Sequence, residues 1–276
     1  MKKTILLLTF IAIISACTTD KSKLTCYHIR LWEDTPAWEM AKAVKKGDTA
    51  KINAILNEGT IDIDYRDPIY GQNLLAWAVC NQKIEMIRFL LQKGANPNLH
   101  DTFNGCSPIV LACGDQLADI KILELLLEYG GDPNDYVKKT EYVTYQHWTE
   151  TPLKEAANID LKKVKLLIEH GAKVDFTPVP GETPLYRAIG RGYTDIIRYL
   201  LMEANADYRK AFIVNIEGDT LDFDYLLEHM IYIKEDKKNE ENLIAIREFI
   251  RKKKEVKRIQ KPSGKFQKRD YSREFM

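Results

Sequence analysis

Five histidines and four cysteines beyond residue 17 are the side chains with which this chain could act as base, nucleophile or metal ligand. His28, His100, His147, His170 and His229 are dispersed, with no HExxH pair and no short Cys/His spacing of the kind that closes around zinc. Cys26, Cys80, Cys106 and Cys113 form neither a zinc pattern nor a dense disulfide framework. Cys80 and Cys113, beside alanines on helical stretches, read as small core residues, which leaves Cys26 and Cys106 free to pair in an oxidising compartment. His170 precedes Gly171 at a helix end, where an imidazole suits the last carbonyls. Asp222 and Asp224, two apart, diverge on a helix and read as a solvated face. There is no phosphate-cradling loop and no nucleophile elbow, and the "GRG" at 190–192 is too short for either. The sequence therefore predicts no catalytic residue, no metal and no cofactor.

The remaining cysteine is Cys17. Lys2 and Lys3 precede an apolar run, Ile5 to Ile14, too short to cross about 30 Å of hydrocarbon as a helix. The run ends in "ISAC", Ile14 to Cys17, which resembles the bacterial lipobox. That resemblance implies cleavage of a signal peptide, 1–16, and lipidation of Cys17 by a diacylglycerol thioether and an N-acyl chain such as palmitate. Two or more chains suffice for stable membrane attachment. Thr18 follows in place of the aspartate that signals inner-membrane retention, so the resemblance implies the outer membrane of a bacterial cell envelope. Residues 17–36 then read as a lipidated tether.

The elements behind these residues repeat. Gly59, Gly94, Gly130 and Gly171 each end an apolar helical stretch, as in "LLQKGANPN" and "LLEYGGDPN", and Asn205 takes the fifth position; the steps are 35, 36, 41 and 34 residues. Glycine and asparagine close helices by adopting the left-handed conformation. Asn73, Ser107, Thr151 and Thr183 stand as N-caps, three of them before proline. Ala78, Ala112, Ala156 and Ala188 follow at one fixed offset, letting neighbouring helices approach. The second helix of each unit carries an i, i+3, i+4 stripe, such as Ile87, Leu90 and Leu91. One such pair cannot bury its apolar face alone, so the units must stack.

These features together resemble the ankyrin-repeat family. The resemblance implies an all-α solenoid of about six helix-turn-helix units over residues 37–258, a non-catalytic role and protein partners held on the concave face. Trp38 opens the first capping unit. An elongated C-terminal unit, with Thr220 as an N-cap and Leu243, Ile246 and Ile250 on one face of a long helix, closes the stack. The family's histidine after Thr-Pro-Leu is replaced by Ala76, Val110, Lys154 and Tyr186. By the resemblance, the inter-unit hydrogen bonds made there are missing and apolar packing must compensate.

The 41-residue step adds about seven residues to the loop between the third and fourth units. That enlarged finger holds Tyr136, Tyr142, Tyr145, His147 and Trp148, aromatic residues of the type that anchors interfaces. They serve either as partner contacts or as packing for their own stem. Tyr65 and Tyr70, in the finger "YRDPIYGQN", are a second candidate pair.

Charge is polarised. Residues 251–276 hold eleven Lys/Arg against three Asp/Glu, a net of +8 in a chain of net +1, so the body is acidic at −7. The basic tail, 259–276, suits anionic envelope lipids; nucleic acid is a poor expectation outside the cytoplasm. The function read from sequence is envelope protein binding, as a scaffold or in immunity to a toxin. The alternatives are a polyanion or membrane-surface binder acting through the tail, and an enzyme built around the His147 finger.

Overall fold

The computed structural model describes residues 24–141, 150–214, 220–229 and 237–260. Six helix pairs follow one another: α1 (Trp38–Lys46) with α2 (Thr49–Asn57), α3 (Leu74–Cys80) with α4 (Ile84–Gln92), α5 (Pro108–Gly114) with α6 (Ile120–Glu128), α7 (Pro152–Ala156) with α8 (Leu161–Glu169), α9 (Pro184–Arg191) with α10 (Thr194–Met202), and α11 (Phe223–His229) with α12 (Lys237–Gln260). Strand β1 (Ile213–Val214) pairs antiparallel with β2 (Thr220–Leu221). First helices pack on first helices from α1 to α11, and second helices on second helices from α4 to α12. The all-α solenoid of six units predicted from sequence is the observed fold.

The stop signals act as expected. Gly59, Gly94, Gly130, Gly171 and Asn205 all have φ between 58° and 91°. Asn73, Thr151 and Thr183 cap their helices by accepting from the amides of Ala76, Lys154 and Tyr186. Two expected caps do not form. Ser107 donates its hydroxyl to Asp135 instead, because a buried carboxylate needs that donor more than a helix end does. Thr220 lies in β2, and Asp222 is the residue that accepts from Tyr225 N to start α11.

The core is continuous through α6, whose Ile122, Leu125 and Leu126 belong with the first three units and whose Leu123 and Leu127 belong with the last four. Ala78, Ala112, Ala156 and Ala188 are all buried, as the close helix approach requires. Leu243, Ile246 and Ile250 of α12 close the far end.

Hydrogen bonds between units do exist, carried by positions other than the absent histidine. In the turn after each second helix, Asp64, Asn98, Asn134 and Asp175 accept from the next unit's backbone, at Asn96 N, Asp132 N, Lys173 N and Asp207 N. Asn98 and Asn134 also donate, to Gly130 O and Gly171 O. Lys154, standing where the histidine would, is fully buried and reaches Glu182 of the next finger at 2.7 Å. The expectation that apolar packing must compensate for missing bonds at the histidine position is therefore corrected in part: Lys154 makes a polar link there, and the turns carry a ladder of others.

The fingers stack edge to edge. Lys138 N donates to Gly105 O, and Thr102 N and Phe103 N donate to Tyr70 O. The first two fingers are each folded by a buried carboxylate: Asp67 accepts from Ile69, Tyr70 and Gln72, and Asp101 from Phe103, Asn104, Gly105 and Cys106.

Residues 24–36, which the sequence assigns to a tether, lie against the first units. Leu31 and Trp32, in a short 3-10 turn (Ile29–Trp32), are fully buried against α1. Upstream of that turn the chain crosses the first finger and meets α3: Tyr70 Oη donates to Leu24 O at 2.7 Å and Gln72 Nε2 to Cys26 O at 2.8 Å from the finger, and Trp77 Nε1 of α3 donates to Tyr27 O at 3.0 Å.

Candidate partner-binding groove

Two inner helices are apolar all round. α3 reads LLAWAVC and α5 reads PIVLACG, with no charged residue in either. A helix of that kind must be covered on every side. For α3 the missing cover is the chain's own segment 24–27. α5 has no such cover among the described residues, and its inner face opens into a groove of about 800 Å³.

Val110 and Leu111 of α5 and Val137 of the following finger make the apolar floor, with Val79 and Cys80 of α3 on one side and Glu155 of α7 on the other. Tyr27, 57% exposed, ends the docked segment at the groove mouth. Asp115, Glu150 and Glu155 add three carboxylates to the wall, beside the neutral polar Asn104 and Gln116. Glu150 is held by Arg187 at 2.5 Å and lies 3.5 Å from the Lys154 ammonium. Burial, and then the neighbouring Glu150, push the Glu155 carboxyl above the usual carboxylate range. Lys163, buried on α8, donates to Ala112 O and Asp115 O at the end of α5. It thereby satisfies carbonyls that a helix end leaves open.

The cysteines are arranged differently from the sequence expectation. Cys113 is core, 0% exposed, as predicted. Cys80 is half-buried and lines the groove. Cys26 hydrogen-bonds Cys80, so the neighbour of Cys26 is Cys80 rather than Cys106; among the described residues all four thiols are free.

Three of the residues singled out from sequence are described, and each makes contacts within the chain. Tyr136 stacks edge-to-face on Phe176 of the next finger, 6.3 Å between centroids, under the Lys138 ammonium. Tyr70 holds Leu24 and meets Phe103 edge-on at 5.0 Å. Tyr65 packs half-buried against the core of the first units. Tyr142, Tyr145, His147, Trp148 and the lipidation candidate Cys17 lie outside the described residues. His100 and His170 are structural: the first bridges Asp135 and Tyr136 O, the second reaches Leu166 O at 2.9 Å. Hydrogen bonds from His100 and Ser107 outweigh burial, so the Asp135 carboxyl sits below its usual range. Among the described residues no cluster of three or more His, Cys, Asp or Glu is placed to hold a metal ion, and no helix is long and apolar enough to cross a membrane.

From the sequence alone, partners are placed on the concave face and this groove is not located. Its signal was the absence of any polar residue in LLAWAVC and PIVLACG, where a helix of a single solenoid layer needs only one apolar side.

Comparison with known proteins agrees with this architecture. A family model described as ankyrin repeats (3 copies) matches residues 40–137 and 137–211. A putative ankyrin repeat protein of fowlpox virus, FPV014, is 30% identical over 169 residues, 61% of this chain and 36% of its own length. Cyclin-dependent kinase 4 inhibitor B of Rattus norvegicus is 32% identical over 127 residues, 46% of this chain and 88% of the relative. The chain spans well under half the length of the first curated relatives it matches, 36% of one and 42% of the next. The crystal structure of the ankyrin repeat protein EF0377 superposes with a TM-score of 0.53 at 26% identity, covering 77% of this chain and 96% of that one. With the family model matching residues 40–137 and 137–211, more than half of the chain and over the observed helix pairs, the chain belongs to the ankyrin-repeat family.

Proposed function

We propose that this chain is a non-catalytic protein-binding module whose groove takes an extended segment of a partner protein bearing aliphatic and Lys or Arg side chains. The observation that carries the reading is the groove beside α5, where Leu111 is part-exposed over the buried Val110 and Val137 and no described segment lies as 24–27 lies on α3. The chain already uses one extended segment, 24–27, to cover α3, and a partner strand continuing that path would cover α5. Val110, Leu111 and Val137 would receive aliphatic groups, and Asp115, Glu150 and Glu155 would face the cations. The acidic body favours the same partner at a distance.

The site of action we propose is a bacterial envelope, where the chain is anchored through a lipidated Cys17, on the strength of the Lys2, Lys3 and "ISAC" pattern. Six residues lie between Cys17 and Leu24, seven steps and a reach of about 23 Å when extended at about 3.3 Å per residue. The first units would then stand close to the bilayer. Scaffolding and toxin immunity are both uses of such a module.

The test is a photo-crosslinking residue placed at Leu111 in the groove or at Lys121 on the outer helix α6. The protein is then recovered from the membranes of its native host. One defined partner crosslinked from Leu111 and lost on Glu155→Lys supports the reading; equal capture from Lys121 overturns it. Labelling with an alkyne palmitate, abolished by Cys17→Ser, checks the anchor separately.

Exposed Arg251, Lys252 and Lys253 in the C-terminal half of α12 favour a second use, attraction to anionic lipid. Deletion of 259–276 should abolish vesicle binding on that reading and leave the Leu111 crosslink intact on the first.

A further inference from the structure

The segment that covers α3 carries a thiol. Tyr70 and Gln72 of the first finger donate to Leu24 O and Cys26 O, Trp77 of α3 donates to Tyr27 O, and Asn81, one residue past Cys80, adds a fourth bond at 3.4 Å to Tyr27 O, so residues 24–27 lie across the finger and α3. This register sets Cys26 over the last turn of α3, where its side chain hydrogen-bonds that of Cys80. Both residues are half-buried and neither sulfur is bonded elsewhere among the described residues. Cys106 lines the same groove from the finger, and its sulfur faces its own Asn104 O at 3.9 Å.

We propose that Cys26 and Cys80 are a redox latch, whose reversible disulfide fastens the segment 24–28 to α3 and fixes the end of the inner groove at Tyr27. Fifty-four positions of sequence separate the two thiols, so the bond would close a loop that includes the first unit and its finger.

The chemistry needs a disulfide oxidant, either a small-molecule disulfide such as oxidised glutathione or a protein disulfide. The Cys26 thiolate attacks one sulfur of that oxidant and expels the other as a thiolate, giving a mixed disulfide. The Cys80 thiol then loses its proton to solvent and attacks Cys26 Sγ, releasing the second oxidant thiolate. In sum two cysteine thiols are oxidised, one disulfide is reduced to two thiols, and the protons balance. The order of attack follows from the pair's electrostatics. The contact with Cys80 lowers the Cys26 thiol to about 7, while the same contact and burial push Cys80 well up. A low thiol in a half-exposed position is the one that meets an oxidant first. The mixed disulfide removes the Cys26 charge that had opposed ionisation of Cys80.

The bond stands independently of what the groove binds; only its consequence for access rests on the proposed function. The test uses the full chain, reduced and then exposed to oxidised glutathione, quenched with an alkylating agent in acid, digested and mapped by mass spectrometry. A peptide pair joined through Cys26 and Cys80 and two hydrogens lighter, reversed by dithiothreitol, is the expected result. Cys80→Ser should stop the reaction at glutathione on Cys26, and Cys26→Ser should leave Cys80 unmodified. A pair joined through Cys106, or glutathione that stays on Cys26 in the unaltered chain, overturns the proposal. Hydrogen exchange supplies the second readout: the amides of His28, Leu31 and Glu33, all hydrogen-bonded in the fold, should exchange about tenfold more slowly once the bond forms. Unchanged exchange with the bond in place would show that it latches nothing. Circular dichroism of each variant separates these outcomes from misfolding.

Discussion

The ammonium of Lys154 lies 2.7 Å from Glu182 in a site where Lys154 is fully shielded from solvent. Glu150 stands 3.5 Å away on the other side and is itself bound to Arg187. These four charges join α7 to α9 and to the fingers between them. A buried ion pair contributes little over a well-packed apolar pair, but removing one partner strands the other. Glu182→Gln should therefore destabilise the chain by about 3 kcal/mol, and Lys154→Met by distinctly less, because it removes the buried charge itself. Urea denaturation of both variants checks the order; equal losses would mean that the pair acts only through volume.

The inter-unit ladder divides its bonds between acceptor and donor. Asn134 does both, accepting from Lys173 N at 2.7 Å and donating to Gly171 O at 3.1 Å. Asp175, at the equivalent turn, accepts alone. Asn134→Asp should thus cost less than Asn134→Ala, which gives up both bonds at about 1 kcal/mol each. Thermal melts of the two variants measure the difference.

Much of this was legible beforehand because it is local. Gly94, Gly130, Thr151 and Thr183 act on backbone groups within four residues, so their types announce their roles. The misreadings concern groups whose partners lie in another unit. Ser107 looks like a cap until Asp135 arrives from the next finger, and Lys154 looks like a lost hydrogen bond until Glu182 meets it. The docked segment 24–27 carries no periodicity at all; its affinity for α3 lies in backbone carbonyls, which every sequence has.

Gly105 and Gly130 separate two reasons for glycine. Both have positive φ, 70° and 87°, yet a Cβ on Gly130 meets nothing, whereas one on Gly105 would run into the Lys138 carbonyl of the next finger. Gly130→Ala should cost about 1–2 kcal/mol for the left-handed backbone alone. Gly105→Ala should cost more and should also speed exchange of the Lys138 amide, which donates to Gly105 O. Hydrogen exchange at Lys138 in the two variants distinguishes strain from broken stacking.

Groove binding should depend on pH through Glu155. Its folded carboxyl is raised by burial and by Glu150, so it takes up its proton at a higher pH than an ordinary carboxylate. A cationic partner segment binds the charged form, and its affinity should fall as the pH drops into the region just above the usual carboxylate range. Glu155→Gln should bind more weakly at neutral pH and lose that part of the pH dependence. Titration calorimetry with the crosslinked partner's segment, at two pH values and with both proteins, measures the coupling.

The thiol pair has a pH signature of its own. Alkylation of Cys26 tracks its thiolate, so the rate should rise through a midpoint of about 7 rather than the ordinary 9.0. The largest cause of that lowering is the hydrogen bond with Cys80, so Cys80→Ala should move the midpoint back up toward 9.0 while leaving Cys26 just as accessible. The linkage sign agrees: a depressed thiol contributes stability above its unfolded value that is lost as the pH falls through about 7. A midpoint that ignores Cys80→Ala would locate the cause in the backbone around Cys26 instead, and the contact with Cys80 would then play no part in choosing which sulfur reacts first.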